Sequence, residues 1–179
     1  ITYFTTKVFD DFFLIHLDAH RDLREEYLGD RLCHATVVRR ILDELPSENV
    51  IQLGIRSCSK EEAEFARERK IKSYSAEAVG KNLDKILDEV VETVGKRPVY
   101  LTVDIDVLDP AFASGVATPE PGGLTIVELL RLIRGFEKLN LVGCDVVELV
   151  PPYDNGNTAF VAARVVYEVL GILAKWKKK

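Results

Sequence analysis

Short apolar runs alternate with helical patterns along the chain. Runs rich in apolar and β-branched residues predict strands over residues 12–17, 50–54, 71–74, 99–104 and 141–149. Apolar residues at helical spacing predict helices over residues 35–45, 60–70, 81–94, 126–139 and 158–176. Strands that alternate with helices in this way are typical of an α/β fold with a mainly parallel sheet.

Two of the predicted helices carry a signal for their first residue. Ser59 is followed three positions later by Glu62, and Thr125 by Glu128, which is the capping-box pattern of a helix start. The sequence contains no internal repeat, no low-complexity segment and no linker-like stretch. At 179 residues it is long enough to build one hydrophobic core, so we interpret residues 1–179 as a single domain.

Acidic clusters directly follow two of the predicted strands. Asp18, His20 and Asp22 come after the first strand, and Asp104 and Asp106 come after the fourth. Residues two apart on an extended backbone face the same way, and the carboxyl ends of parallel strands meet at one edge of the sheet. Four carboxylates and an imidazole gathered there cannot all stay ionised without a compensating cation. The pattern therefore predicts a site for divalent metal ions.

The ligand types narrow the choice of metal. Oxygen-rich sites with one imidazole suit Mn²⁺ better than Zn²⁺, and none of the three cysteines has ligand spacing. Carboxylates from two loops can bridge a pair of ions about 3.5–4 Å apart, which activate a shared water at neutral pH. Loops over residues 23–32 and 109–123, and a third cluster over residues 145–148 at the end of the last strand, are expected at the same edge of the sheet. We therefore expect a metal-dependent hydrolase.

Charge and composition argue against several kinds of partner. The net charge of −5 argues against nucleic acid. The longest apolar stretch, residues 160–176, carries charged side chains, so we expect no membrane partner. Three isolated cysteines without a CxxC pair, together with no visible signal peptide, indicate reduced thiols and a cytoplasmic location.

Five short motifs occur in a fixed order. They are Asp-Ala-His-x-Asp at 18–22, Cys-His-Ala-Thr at 33–36, Asp-Ile-Asp at 104–106 with Asp-Pro at 109–110, Thr-Pro-Glu-Pro-Gly-Gly at 118–123, and Asp-Val-Val-Glu at 145–148. Together they resemble the ureohydrolases, the arginase/agmatinase family, over nearly the whole chain. The resemblance implies a three-layer α/β/α fold of the arginase/deacetylase type. It also implies that this chain forms the C-terminal two thirds of the family domain and is truncated at the N-terminus.

The resemblance assigns metal-binding roles residue by residue. Asp18 and Asp104 would bridge two Mn²⁺ ions, His20 and Asp106 would complete one ion, and Asp22 the other. Asp22 would also hydrogen-bond a metal-bridging hydroxide and pass its proton to the leaving amine. The implied reaction is attack of this hydroxide on a guanidinium carbon, which releases urea and an amine.

Two further residues receive roles from the same resemblance. His34 would be a proton-shuttling catalytic histidine at the rim, and Glu148 would bind the substrate guanidinium through a paired hydrogen bond. Each has a simpler interpretation, as an ordinary residue at a helix start and at a strand end. Asp109 is interpreted as a turn former and His16 as a core or outer-sphere residue, with Thr118 and Asp145 as weaker outer-sphere candidates.

The loop over residues 23–32 bears on the substrate. It shows no match to the arginase pattern, and the run into His34 is similar to that of agmatinases. Glu25, Glu26 and Asp30 would tolerate a cationic amine, although such residues are more often simply solvated loop charges. Agmatine, cleaved to putrescine and urea, is the favoured substrate. Arginase, guanidinobutyrase and formiminoglutamase activities stay open.

The sequence departs from the family pattern in one respect. Members carry a further metal-ligating histidine upstream of the first cluster, and this chain has no counterpart; His16 is interpreted as too close to Asp18 to replace it. One ion would then lack a ligand and bind less firmly. This leaves two other hypotheses: a deacetylase-like hydrolase with a single Zn²⁺, and a non-catalytic relative that only binds or assembles. Family analogy alone suggests a homo-oligomer, a trimer or hexamer.

Overall fold

Five parallel strands form one sheet in the computed structural model, which describes residue 8 and residues 11–176. The strands are β1 (Phe13–Leu17), β2 (Val50–Ile55), β3 (Lys72–Ser75), β4 (Pro98–Asp104) and β5 (Asn140–Val147). Their order in the sheet is β3-β2-β1-β4-β5, and every pairing is parallel. All five predicted strands are confirmed, with end points that differ by one or two residues.

Helices cover both faces of the sheet. They are α1 (Val37–Ile41), α2 (Lys60–Glu68), α3 (Ala76–Val94), α4 (Ile126–Gly135) and α5 (Asn157–Trp176). The longer helices α3, α4 and α5 share one hydrophobic core with the sheet, and α1 and α2 share a second core on the opposite face. The predicted three-layer α/β/α architecture is therefore confirmed.

Strand β1 lies at the centre of the structure and explains why there are two cores. All five of its residues are buried, and it is paired with β2 on one side and β4 on the other. Phe13 and Ile15 face the core under α3–α5, whereas Leu14 faces the core under α1 and α2. The alternation of side chains along a strand thus accounts for a continuous apolar run that serves both layers.

Three predicted helices differ by more than two residues from those in the structure. The helix predicted over residues 126–139 is α-helical only over Ile126–Gly135, and a 3₁₀ turn over Phe136–Lys138 follows it. The helix predicted from residue 81 begins at Ala76, because the Ser75 hydroxyl accepts a hydrogen bond from the Ala78 backbone and caps it; the chain kinks at Asn82. The helix predicted over residues 35–45 is α-helical only over Val37–Ile41. Its first turn is a separate 3₁₀ turn, since Thr36 has non-helical backbone angles and hydrogen-bonds locally through its hydroxyl.

Much side-chain surface is exposed in the region of β5 and α5. Within the described residues β5 is an edge strand, and most of its residues are partly exposed. Helix α5 packs on β5 and α4 through one face, while Phe160, Tyr167 and Leu170 on its other face are 81%, 69% and 57% exposed. By length and composition alone, Asn157–Lys175 could cross a membrane. Its packing on β5 and α4 favours a helix of the folded domain.

Candidate metal centre

A cleft of about 790 Å³ opens at the carboxyl ends of β1, β2 and β4, beside the end of β5. All the site residues predicted from the sequence line it: Asp18, His20, Asp22, His34, Asp104, Asp106 and Glu148. The predicted convergence of the two acidic clusters is therefore observed. The position agrees with the general rule that parallel sheets bind ligands beyond the carboxyl ends of their strands.

Two groups of side chains within the cleft could each hold a metal ion. His16, Asp18 and Asp22 form the first group, and Asp18, His20 and Asp106 form the second. In each group the potential ligand atoms all lie within 4.8 Å of one another. In the second group, His20 Nδ1 lies 3.0 Å from Asp106 Oδ2 and 3.4 Å from Asp18 Oδ1. Asp18 is a member of both groups, which is the arrangement that a bridging ligand requires.

Asp104 lines the same cleft but belongs to neither group. It is 5% exposed, and its Oδ1 accepts a hydrogen bond from the Asp106 backbone N–H at 2.9 Å. This bond caps the 3₁₀ turn Ile105–Val107 and aims Asp106 towards His20. The bridging role assigned to Asp104 stays a prediction.

A chain of hydrogen bonds from outside the centre reaches Asp18 through His16. Arg21 Nη1 donates to Gln52 Oε1 at 3.1 Å, so the amide nitrogen of Gln52 faces His16 Nδ1, 3.2 Å away. This contact favours the tautomer in which Nδ1 accepts and Nε2, 2.9 Å from Asp18 Oδ2, carries the proton. Since that nitrogen is engaged as a donor, the geometry favours His16 as an outer residue that orients Asp18.

In the absence of a cation, burial makes ionisation of two of the carboxylates unfavourable. Burial raises the pKa of Asp22 well above its usual range, and repulsion from Asp18 raises it further. Burial and the charge of Asp18 likewise raise the pKa of Asp104 well above normal. Side chains that resist ionisation at neutral pH become good metal ligands only when a metal ion replaces the proton.

Asp18 and His20 stabilise each other's charged forms. Burial opposes ionisation of Asp18, but the attraction of His16 and hydrogen bonds from His16 and His20 outweigh it and lower its pKa to about 2. Hydrogen bonds to Asp106 and Asp18 raise the pKa of His20 to about 10. In the metal-free protein the His20 imidazolium thus takes the place of a bound cation between these two carboxylates.

The donor set fits manganese better than zinc. With His16 as an outer residue, the ligands that the two groups offer are Asp18, Asp22, Asp106 and His20, and no thiolate is among them, although Cys33 and Cys58 line the same cleft. Carboxylate-rich sites suit hard divalent ions such as Mn²⁺. The chemistry of the donors therefore agrees with the metal expected from the sequence.

Asp22 has an unusual backbone that neighbouring groups hold in place. Its φ is 55°, in the left-handed region. The Asp22 carbonyl accepts from the Arg39 backbone N–H at 3.0 Å, and the next N–H, that of Leu23, donates to Glu62 Oε1 at 3.0 Å. Glu62 is also the capping-box residue of α2, so the start of this helix fixes the loop that carries Asp22.

His34 and Glu148, which the resemblance assigns to proton transfer and to substrate binding, line the cleft near its rim. His34 is exposed, begins the 3₁₀ turn His34–Thr36, and meets the Tyr27 ring edge-on, with centroids 5.5 Å apart. Glu148 follows β5 directly and has a φ of 61°. Both residues therefore lie where a substrate entering the cleft would meet them.

The acidic loop residues do not face the cleft, so the structure does not support a role for them in binding a cationic amine. Glu25, Glu26 and Asp30 are absent from the lining of the cleft, and Glu25 is bound by Arg31, Arg39 and Arg40. The loop side chains that do line the cleft include Arg24 and Tyr27.

The outer-sphere candidates differ in how they relate to the centre. Thr118 Oγ1 lies 3.4 Å from Asp106 Oδ2, whereas Asp145 accepts from Tyr100 and Thr102 away from the metal ligands. Asp109 forms a turn, as predicted, and accepts from the backbone of residues 111, 122 and 123.

Sequence reasoning missed one residue of this region, Arg56. It lies just beyond β2, in the run Gly54–Ser57, and it contacts the backbone beside the metal ligands. The available signal was its position, since a polar residue after a third buried strand reaches the same edge of the sheet.

Comparison with known proteins assigns the chain to a family. A family model described as the arginase family matches residues 3–171. The chain belongs to the arginase family. This match agrees with the ureohydrolase resemblance and favours it over a deacetylase-like hydrolase.

Arginase-family relatives of several specificities are similarly close. The agmatinase of Bacillus cereus is 45% identical over 172 residues, covering 92% of this chain and 56% of the relative. The guanidinobutyrase of Pseudomonas aeruginosa is 42% identical over 166 residues, covering 89% of this chain and 52% of the relative. The chain therefore spans about half the length of these curated relatives.

Solved structures of the arginase family confirm the fold. The agmatine ureohydrolase of Thermoplasma volcanium matches with a TM-score of 0.89 and 41% identity, over 99% of this chain and 60% of that one. The arginase of Bacillus cereus matches with a TM-score of 0.86 at 24% identity, over 95% of this chain and 66% of that one, which supports the fold alone.

Proposed function

We propose that the protein hydrolyses a guanidino compound to urea and an amine at a pair of Mn²⁺ ions. The observation that carries this proposal is the pair of metal-capable groups in one cleft that share Asp18. Membership of the arginase family supports the reaction class. Bound manganese would supply the activation of water at neutral pH.

The side chains of the cleft have separate tasks in this reaction. Asp18, His20, Asp104 and Asp106 would hold the metal ions, and Asp22 would hold them and accept a proton from the attacking water. Asp22 would then pass this proton to the leaving amine, and His34, exposed at the rim, would shuttle protons between the cleft and solvent. Glu148 can accept two parallel hydrogen bonds from a planar guanidinium.

Agmatine is the first substrate that we propose, with putrescine as the second product. Agmatinases are among the relatives, and buried Glu62 and half-exposed Glu120 bring negative charge to the cleft, which favours a substrate with a cationic far end. The loop over residues 23–32 also lacks an arginase-like pattern.

A guanidino acid is the second candidate, because Arg24 lines the cleft. Its guanidinium lies 5.0 Å from the centre of the Tyr27 ring, and its Nε is 3.6 Å from Glu62. The carboxylate of a substrate such as guanidinobutyrate could pair with it. The guanidinobutyrase relative supports this alternative.

A urea-release assay with Mn²⁺ separates these candidates. Agmatine, guanidinobutyrate and arginine are compared at equal concentration, with a chelator-treated sample as the control. We expect agmatine to give the highest kcat/KM. Faster hydrolysis of guanidinobutyrate, lost in Arg24→Gln, would assign a guanidino acid instead, and no urea from any substrate by the manganese-loaded protein would contradict the reaction. The cytoplasmic location and the homo-oligomeric state stay predictions.

A further inference from the structure

We infer that Arg56 is a positioning residue, which fixes the turn carrying Asp106 and the loop carrying Glu120 around the metal centre. Its effect on catalysis rests on the function proposed above, whereas its effect on the two segments does not. The inference follows from its contacts, its surroundings and the way these segments meet His20.

The guanidinium of Arg56 hydrogen-bonds to backbone carbonyls from three segments. Its Nη2 donates to the carbonyl of Asp106 at 2.7 Å and to that of Leu108 at 3.1 Å. Nη1 donates to Val107 at 3.2 Å and to Gly54 at 3.2 Å in β2. Every residue from Asp106 to Leu108 therefore has its carbonyl held by one side chain.

The same guanidinium also holds the loop that carries Glu120. Arg56 Nε and Nη2 both donate to the Glu120 carbonyl, at 3.0 and 2.7 Å. Gly123 approaches so closely that a Cβ there would lie 2.7 Å from Arg56 Nη2 and 2.4 Å from the Asp109 backbone nitrogen. The two segments are thus packed on Arg56 without room for a larger residue at position 123.

Each of these two segments places a carboxylate next to the imidazole of His20. Asp106 Oδ2 lies 3.0 Å from His20 Nδ1, and Glu120 Oε1 lies 3.8 Å from His20 Nε2. Glu120 Oε1 also accepts from the Ser57 hydroxyl at 2.8 Å, next to Arg56 in sequence. A shift of either segment would move a carboxylate relative to the imidazole of His20.

An arginine is required here because the acceptors lie in several directions around one plane. The guanidinium has five N–H donors in a fixed planar arrangement, whereas a lysine ammonium has three donors on one atom. A lysine would keep the charge but could reach only some of these carbonyls. The variant Arg56→Lys therefore separates the geometry from the charge.

Arg97 provides a matched control at the opposite end of the sheet. It precedes β4, stacks on Phe13 at 4.0 Å, and donates to the carbonyl of Thr93 and the side chain of Asn49. Arg97→Lys removes a comparable set of contacts far from the cleft. A change seen in both variants would reflect a general loss of stability, whereas a change seen only in Arg56→Lys would reflect an effect on the metal centre.

The experiment compares the wild type, Arg56→Lys and Arg97→Lys by hydrogen exchange of the metal-free protein and by calorimetric titration with Mn²⁺. For Arg56→Lys we expect at least tenfold faster exchange of the Leu108, Asp109 and Leu124 amides, with β1 amides unchanged. We also expect Mn²⁺ affinity to fall by about tenfold to a hundredfold, as for other outer residues that orient metal ligands. Arg97→Lys is expected to leave both readouts at the wild-type level.

The outcomes separate this inference from the proposed function. Unchanged exchange in Arg56→Lys, or equal changes in Arg97→Lys, would overturn the positioning role. Changed exchange with unchanged Mn²⁺ affinity would limit the role to the backbone and overturn its link to the centre. If the wild type binds no Mn²⁺, the proposed function fails, while the exchange readout still decides whether Arg56 fixes the two segments.

Discussion

The two halves of the cleft are built on different kinds of strand. The candidate metal ligands follow β1 and β4, which are paired on both sides and almost fully buried. Glu148, which we propose binds the substrate, follows β5, which is an edge strand within the described residues and is mostly half-exposed. The structure thus places a buried half, proposed to bind metal, beside a more exposed half, proposed to bind substrate.

This difference implies that metal affinity and substrate affinity should respond to different substitutions. In the proposed metal half, Asp18 and His20 each have several side-chain partners, so substitutions there should act on the metal site. In the proposed substrate half, Glu148 lies at the end of a less protected strand, and His34 and Arg24 line the same cleft. The predictions below test this separation.

The largest effect is expected from removing a carboxylate of the metal half. Asp104→Asn should lower Mn²⁺ affinity by more than about a hundredfold, since it removes a charged ligand and not only an outer contact. Because burial raises the pKa of Asp104, its ionised form destabilises the metal-free fold at neutral pH, and the neutral amide should not lower its Tm. Calorimetric titration and thermal unfolding of the metal-free protein measure the two effects. A lower Tm together with unchanged affinity would contradict a ligand role.

A smaller effect is expected from the hydrogen-bond chain behind the centre. Gln52→Leu leaves His16 Nδ1 without its donor, so that the ring proton is no longer confined to the side facing Asp18. We expect Mn²⁺ affinity to fall by about tenfold to a hundredfold. Gln52→Glu is the matched variant, since it keeps the side-chain shape but offers only acceptors to Nδ1. Wild-type affinity in both variants would show that His16 does not orient Asp18.

The substrate half should respond in kcat/KM and not in metal affinity. Glu148→Gln replaces one acceptor by a donor and removes the charge that a guanidinium needs. Hydrogen bonds to charged groups contribute about 1.5–3 kcal/mol, which corresponds to a loss of about tenfold to a hundredfold in kcat/KM. Steady-state urea release and Mn²⁺ titration of the same sample test this. Loss of metal affinity in Glu148→Gln would remove the distinction between the two halves.

The smallest effect concerns the helices that cover the exposed strand. Glu168 in α5 receives hydrogen bonds from Arg134 in α4 and from Arg164, and these lower its pKa to about 2. A carboxylate with a lowered pKa stabilises the fold above its unfolded pKa near 4.5, and that contribution is lost as the pH falls towards 2. The Tm difference between wild type and Glu168→Gln should therefore shrink between pH 6 and about pH 3. A difference that is constant with pH would exclude this ion pair as its source.

Much of the centre could be predicted because its signals are local. The spacing of Asp18, His20 and Asp22 predicts that they share one side of an extended segment. In the structure Asp22 leaves that extended path through a left-handed backbone conformation, but all three still line the cleft. The alternation of strands and helices then predicts that a second cluster, Asp104 with Asp106, reaches the same edge.

The remaining features depend on contacts that are distant in sequence. Arg56 meets residues 106–108 and Glu120 only because the parallel strands place them side by side, and no spacing in the sequence encodes this contact. The start of α3 was missed because Gly80 and Asn82 interrupt the helical pattern, whereas Ser75 caps the helix before them. The neutralisation of Glu25 by three arginines likewise requires the folded loop.

Two residues of the candidate site have left-handed backbone conformations. Among the described residues, only four that are not glycine have a positive φ: Asp22, Leu28, Lys70 and Glu148. Such a conformation costs a residue with a side chain about 1 kcal/mol relative to glycine. Selection for thermal stability alone would therefore favour glycine at Asp22 and Glu148, and would remove the groups proposed to handle the proton and the guanidinium. Thermostabilised variants of this protein should accordingly be screened for urea release as well as for melting temperature.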